Sequence, residues 1–386
     1  MRIAFIGQKG IPAKQGGIEK HVEELSTRLA ASGLDITVYS RSHYTGTSGK
    51  KYQNRGVNII NLPSFNTKNF DAITHTFISS LHAIFGRYDI IHYHGVGPSL
   101  MSWIPRILSP RSKVIVTFHC IDRNHQKWSS FAKLMLTAGE WTSCRFPHET
   151  IVVSKALQKY CQDKFNCPAT YIPNGVSFND FATEEKFLAQ YNLTRGNYLI
   201  AVSRLIRHKG IHTLIEAYQK INTDKPLVIV GDGANTDDYV NYLKTLATDN
   251  KKIIFTGQKS GTELLTLFKN AYLFIQPSEA EGLSIALLEA MGYGVPVLVS
   301  DIEENLEAVG DWGLNFQNKN QLDLAKQLDY AVSNYPLIQK KAEVAKRHVN
   351  REYNWQDIVG KTIALYQENN GSEKQGNKVI DFNLIK

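Results

Sequence analysis

The stretch PSEAEGLSIALLEAMGYG, Pro277 to Gly294, decides how the rest of this 386-residue chain is read. It opens where the apolar run LFIQPS (Leu273 to Ser278) stops at a loop carrying Glu279, Glu281 and Gly282. Ser284 has the small hydroxyl that accepts from a helix's first free N–H groups. Ile285 to Met291 then reads as a helix, closed by Gly292 and Gly294. VPVLVS (Val295 to Ser300) follows as another buried strand. The order strand, loop, helix, strand puts Glu281 at the carboxyl end of a parallel strand, and Glu289 about two turns into the next helix. Open α/β sheets bind their ligands at such loops. The competing reading makes both glutamates solvated surface charges, the ordinary fate of that residue.

Working outward, the same alternation continues on both sides. YLIAVSR (Tyr198 to Arg204), PLVIVGDG (Pro226 to Gly233) and KIIFTG (Lys252 to Gly257) are strands, with IHTLIEAYQKI (Ile211 to Ile221) a helix between them. An earlier set begins with RIAFIG (Arg2 to Gly7) and the loop QKGIPAKQGG. Ile18, Val22, Leu25 and Leu29 recur there at helical spacing as far as Gly33. DITVYS (Asp35 to Ser40), VNIINLP (Val57 to Pro63), DIIHYHG (Asp89 to Gly95), KVIVTFH (Lys113 to His119) and TIVVS (Thr150 to Ser154) extend it. YIPNGV (Tyr171 to Val176) closes it. Two successive sets of βα units imply an α/β chain of two doubly wound Rossmann-like domains facing each other across a cleft. The expected divisions are residues 1–178, residues 179–350, a helix within 351–368 crossing back to the first domain, and a polar, flexible tail over 369–386.

Composition narrows the class. Hydrophobic residues make up 42% and charged ones 21%, as in a soluble globular protein. No run approaches the ~18 apolar residues of a membrane span, and MRIAFIG reads as a first strand rather than a secretory signal. Cys120, Cys144, Cys161 and Cys167 form no CxxC pair, which fits reduced thiols in a cytoplasm. The net charge of +8 is uneven. Residues 1–180 carry 21 Lys and Arg against 11 Asp and Glu, a net +10, while residues 181–386 carry 23 against 25, a net −2. The imbalance points to an anionic partner for the first half. Despite the pI of 9.1, the chain lacks any RNP, KH or helix-turn-helix signature, so no nucleic acid is expected as a partner.

Several residues have the chemistry of a phosphate-bearing ligand site. Gly16 and Gly17 precede the first helix, where free N–H groups favour an anion and glycine allows its close approach. The spacing is not GxGxxG, which argues against a dinucleotide fold. A plain turn is the simpler account of the pair. Arg204 and Lys209, in SRLIRHKG, leave the first strand of the second set; a planar fork and a point charge suit a pyrophosphate. His119, His92 and His94 end first-domain strands. No HxxxH helix or acidic partner accompanies them, so no metal site is expected.

These residues together resemble a known family. GIPAKQGGIEKHVEEL, the strand-end TFH, IPNGV, SRLIRHKG and the Glu-x7-Glu pair Glu281 and Glu289 look like glycosyltransferase family 4, over nearly the whole chain from Arg2 to about Gln367. The family comprises retaining, nucleotide-sugar-dependent transferases of the GT-B fold. The resemblance implies that Glu289 holds the ribose hydroxyls and that Glu281, with the backbone of Gly282, Leu283 and Ser284, contacts the donor sugar. It implies that Arg204 and Lys209 bind the diphosphate, approached from the other domain by Gly16 and Gly17, with His119 beside the donor sugar. Leu283 stands where the family usually has an aromatic residue, a departure that bears on donor preference. The start of the chain also resembles transferases building bacterial surface polysaccharides. A saccharide or lipid-linked acceptor, no cofactor and no metal are the corresponding expectations.

Three rivals remain at this level. A glycoside hydrolase needs two carboxyl groups roughly 5–9.5 Å apart, whereas residues eight apart on one helix differ by about 12 Å along its axis. An epimerase on the same fold would convert a nucleotide sugar without an acceptor. A non-catalytic nucleotide-sugar binding protein is the third. SLMSWIPRIL (Ser99 to Leu108) and HQKWSSFAKLMLTAGEW (His125 to Trp141) mix aromatic and aliphatic residues with Arg and Lys. They predict either peripheral attachment to an anionic membrane at its cytoplasmic face or helices packed on the sheet.

Overall fold

The computed structural model describes residues 1–14, 16–46, 51–67, 70–124, 130–178, 185–234 and 236–368. The expected tail, residues 369–386, and the start of the second amphipathic segment, residues 125–129, lie outside them.

Buried β-branched runs build two sheets. The first holds β1 (Arg2–Ile6), β2 (Asp35–Arg41), β3 (Lys51–Asn54), β4 (Val57–Leu62), β5 (Ile90–His94), β6 (Lys113–Phe118), β7 (Glu149–Val152) and β8 (Thr170–Tyr171), in the order β3-β4-β2-β1-β5-β6-β7-β8. The second holds β9 (Leu199–Val202), β10 (Leu227–Val230), β11 (Ile253–Gly257), β12 (Leu273–Gln276), β13 (Val297–Ser300) and β14 (Leu314–Phe316), in the order β11-β10-β9-β12-β13-β14. Every pairing is parallel except β3 with β4. That edge hairpin went unread in the sequence. KYQN alternates exposed and half-buried residues and carries no apolar run, so nothing marks it as a strand before β4 pairs with it.

Both sheets reverse their strand order once, between β1 and β5 and between β9 and β12. At each reversal the helices leave on opposite faces and a crevice opens at the carboxyl ends. The two crevices are where the loops after β1, β5, β9 and β12 converge, and all the expected ligand residues lie on those loops, on the neighbouring end of β6 or on the helices that follow.

The last helix, Trp355–Gln367, packs on the Gly17–Ala31 helix, placing Trp355, Ile358, Val359, Leu365 and Tyr366 in the first domain's core. Its entry is pinned where Val176 N–H donates to the Tyr353 carbonyl at 2.9 Å. A further tie joins the domains. The Glu307 carboxylate accepts from the backbone N–H groups of Lys155 and Ala156, at 2.8 and 3.0 Å, capping the Lys155–Phe165 helix from across the cleft.

Candidate active site

The second crevice is stitched from two loops. After β9 the chain turns through a single 3-10 turn, Arg207–Lys209, and leaves it at Gly210, whose φ of +68° is the left-handed region that favours glycine. A Cβ on Gly210 would collide with the Pro277 carbonyl, so the β9 and β12 loops lie in direct contact. The Glu279 N–H donates to the His208 carbonyl at 2.7 Å, adding a second tie. Held this way, Lys209 Nζ lies 2.5 Å from Glu281 Oε1, with side-chain exposures of only 15% and 10%. Sequence reading put these two residues at one sheet edge; the structure makes them an ion pair. Arg204, half-buried on the same loop, has no ion-pair partner among the described residues.

The helix after the Glu281 loop spans Ile285–Gly292. The Ser284 hydroxyl accepts from the Leu287 N–H at 3.3 Å, the N-cap its sequence predicts. Because the helix begins at Ile285, Glu289 sits just over one turn in, not two. Leu283 is buried, and its carbonyl accepts from the Asn174 side-chain amide at 2.8 Å, so the IPNGV motif of the first domain holds the donor loop.

Across the cleft the Gly17–Ala31 helix begins directly after Gly16. A Cβ on Gly17 would lie 3.9 Å from Ile285 Cδ1, so the first turns of the two helices face each other. Lys20, one turn in, forms an ion pair with Glu289 across the cleft. Sequence reading passed over Lys20. The only available signal was a cation in the first turn of a helix, where the dipole disfavours it.

His119 directly follows β6, and its carbonyl abuts the donor loop: a Cβ on Gly282 would fall inside that carbonyl oxygen. The following residues, Cys120 and Ile121, share a cavity of about 90 Å³ with Glu279, Ala280, Glu281, Ile302 and Glu304. Burial raises the Glu304 carboxyl to about 7, with the Glu281 charge adding to the rise. The imidazole of His119 lies behind this wall, in a cluster with His21, His92 and His94. His94 Nδ1 is 3.3 Å from His119 Nε2, and the His21 and His119 ring centres are 5.0 Å apart. His92 is bound on both sides, by the Tyr366 hydroxyl and Thr117 Oγ1, each at 2.7 Å.

Burial lowers His21 to about 4 and His92 to about 3, and it holds His94 and His119 well below the ordinary imidazole value. Mutual repulsion among the rings adds to this for His92, His94 and His119. The cluster therefore holds neutral rings behind the cleft wall. His21, absent from the sequence-level candidates, enters because the first helix lies over the ends of β5 and β6. Ligating nitrogens of His21, His94 and His119 all lie within 4.8 Å of one another; among the described residues these are the ones able to gather round an ion.

Comparison with known proteins bears on the family and the fold. The model described as Glycosyltransferase Family 4 matches residues 15–180, and that described as Glycosyl transferases group 1 matches residues 183–350. An uncharacterized glycosyltransferase of Methanocaldococcus jannaschii is 26% identical, the match covering 95% of this chain and 98% of the relative. The O-antigen biosynthesis glycosyltransferase WclY of Escherichia coli is 24% identical over 64% of this chain and 71% of its own. Among solved structures, Anabaena HepE in complex with UDP and glucose superimposes with a TM-score of 0.77 at 20% identity, covering 95% of this chain and 99% of that one. The two matched halves, the two facing parallel sheets and these relatives agree: the chain belongs to the family 4 type of GT-B glycosyltransferases.

Proposed function

We propose that this chain moves a sugar, with retention of configuration, from a nucleoside-diphosphate sugar to a saccharide or lipid-linked acceptor in the making of a bacterial surface polysaccharide or glycolipid. The observation that carries the reading is the Lys209–Glu281 pair at the β9/β12 crevice, on the loop that also carries Arg204, facing the Gly16-Gly17 helix start. In the reaction the bond from the sugar's C1 to the diphosphate oxygen breaks and a bond from C1 to the acceptor oxygen forms. The acceptor's proton passes to the departing phosphate oxygen on the same face. Negative charge gathers on the diphosphate as the bond breaks, and Arg204, Lys209 and the amides at Gly16 and Gly17 stabilise it there. Glu281 and the Gly282–Ser284 backbone hold the donor sugar, Glu289 holds the ribose, and closure on His119 excludes water. The fixed cations stand where a divalent ion would otherwise neutralise the diphosphate, so transfer needs no metal. The UDP and glucose bound to HepE support a donor of this class, and WclY supports an acceptor in surface-polysaccharide synthesis.

The acceptor is brought by a membrane. Trp103, Ile107, Leu108, Leu134 and Trp141 are 41–65% exposed on the first domain, on the Trp103–Leu108 and Ser130–Arg145 helices, in the half of the chain that carries the positive excess. Such a surface suits an anionic leaflet at the cytoplasmic face, with about 1 kcal/mol per well-placed basic residue. Among the described residues no helix is long and apolar enough to cross the membrane.

The test is a panel of nucleotide sugars with and without lipid-linked acceptors, run in excess EDTA, with the product anomer read by NMR. Acceptor-dependent transfer with retention is expected. Conversion of the donor without acceptor would favour an epimerase, and loss of activity on chelation would overturn metal independence. Co-sedimentation with anionic vesicles, weakening as salt rises, is the expected membrane result; no binding at low salt would leave a soluble acceptor.

A further inference from the structure

The two acids of the Glu-x7-Glu pair on the donor side of the cleft are each matched to a lysine. Glu281 is paired with Lys209 of its own domain, and Glu289, 13% exposed, with Lys20 of the opposite one. A nucleoside diphosphate entering this site brings hydroxyl donors to Glu289 and negative charge to the space between the two helix starts. Hydroxyls satisfy a carboxylate without neutralising it, so the cation that had been its partner is free to follow the phosphate charge.

Three observations give Lys20 that role. It lies one turn from Gly16, its own N–H donating to the Gly16 carbonyl at 3.2 Å, on the turn whose free N–H groups face the cleft. Its side chain is 44% exposed, with a flexible stem able to swing from carboxylate to phosphate. It also places a positive charge in the first turn, which the helix dipole penalises, so its position is explained by an anion outside the helix and not by the helix.

The geometry points to Lys20 as a third diphosphate-binding cation, delivered by the first domain and held on Glu289 until a nucleoside diphosphate arrives. The inference rests on the donor reading above, because it takes Glu289 and the β9/β12 crevice as the nucleotide site. Binding then exchanges partners: ribose hydroxyls move onto Glu289 and the Lys20 ammonium onto the diphosphate. One cation from each domain grips the same group, which makes closure respond to the diphosphate and not to the nucleoside alone.

The experiment is calorimetric titration of the full chain and of Lys20→Met and Lys20→Arg variants. The probes are the nucleoside diphosphate that the wild type binds and the corresponding nucleoside without phosphate. Lys20→Met should weaken the diphosphate at least ~10-fold, leave the nucleoside unchanged or tighter, and flatten the salt dependence of diphosphate binding. Lys20→Arg should restore most of the affinity. If Lys20 merely blocks Glu289, Lys20→Met tightens both ligands, which overturns the inference. Equal weakening of both ligands also overturns it, since that marks a structural role. Should Lys20→Met fail to fold, Lys20→Gln supplies the neutral side chain. A wild type that binds no nucleoside diphosphate would instead remove the donor reading itself.

Discussion

Behind its side of the cleft the first domain packs His21, His94 and His119, buried imidazoles kept uncharged. The second meets the cleft with Arg204, Lys209, Glu281 and Glu289, ionic groups at its surface. The contrast runs against net charge, for the basic half backs the cleft with neutral rings and reaches into it with Lys20, while the near-neutral half lines it with Arg204, Lys209, Glu281 and Glu289. Overall charge acts at long range, on steering and on surfaces such as a membrane. Chemistry in the cleft depends on which few groups are held close and how far they are desolvated. Here the positive excess lies in the domain whose outer face exposes Trp103, Ile107 and Leu108, while charge stabilisation falls to the loops after β9 and β12.

The sharpest way to break this contrast is to remove the charged wall. Arg204→Ala or Lys209→Met should lower kcat by ~10² or more, because each deletes a fixed cation from the site of charge development. Lys209→Met also leaves Glu281 without its counter-ion. Steady-state rates close to wild type in both variants would show that the second domain does not supply the charge.

Next in size is the contact between the walls. Gly282→Ala puts a methyl group into the His119 carbonyl and holds the cleft open. A loss of kcat of about tenfold or more is expected, since misplacement by about 1 Å costs on that order or above. Small-angle scattering of the donor-bound protein should report a larger radius of gyration. Unaltered closure would mean the loop yields without cost.

A smaller, pH-dependent effect separates the walls thermodynamically. The buried histidines have folded values below their unfolded value of 6.5, so the unfolded chain binds protons that the folded one refuses. Their contribution is present above pH 6.5 and is lost as pH falls from there toward 4, through the value for His21. Melting followed between pH 7 and 4 should show a falling Tm, with hydrogen exchange rising first around β5 and β6. An invariant Tm over that window would deny the cluster its burial.

The smallest effect runs the other way. Glu304 has a folded value raised from 4.5 to about 7, so its stabilising contribution is present below 4.5 and is lost as pH rises through 7. Glu304→Gln should flatten the decline of Tm between pH 5 and 8. A slope identical to wild type would assign that decline to other groups.

Much of this architecture was legible because apolar runs of strand length alternate with helical spacing, a pattern that local sequence carries directly. Ser284 as an N-cap and Gly33 as the end of the first helix are likewise properties of a few neighbouring residues. The misses share a different cause. β3 has no apolar face of its own, and Lys20, His21 and Glu307 act on residues far along the chain, so no local pattern announces them.

By itself the sequence determined two α/β domains, the strand ends that hold the ligand residues, and the chemical type of each residue. Periodicity, capping and side-chain chemistry are short-range properties. Only the tertiary structure decided which groups meet: Lys209 with Glu281, Lys20 with Glu289, and Gly282 with the His119 carbonyl. It also decided that the histidines are neutral and that the Trp103–Leu108 face is exposed. Charge state and pairing depend on desolvation and on distance across the cleft, and both are set by how the sheets and helices pack.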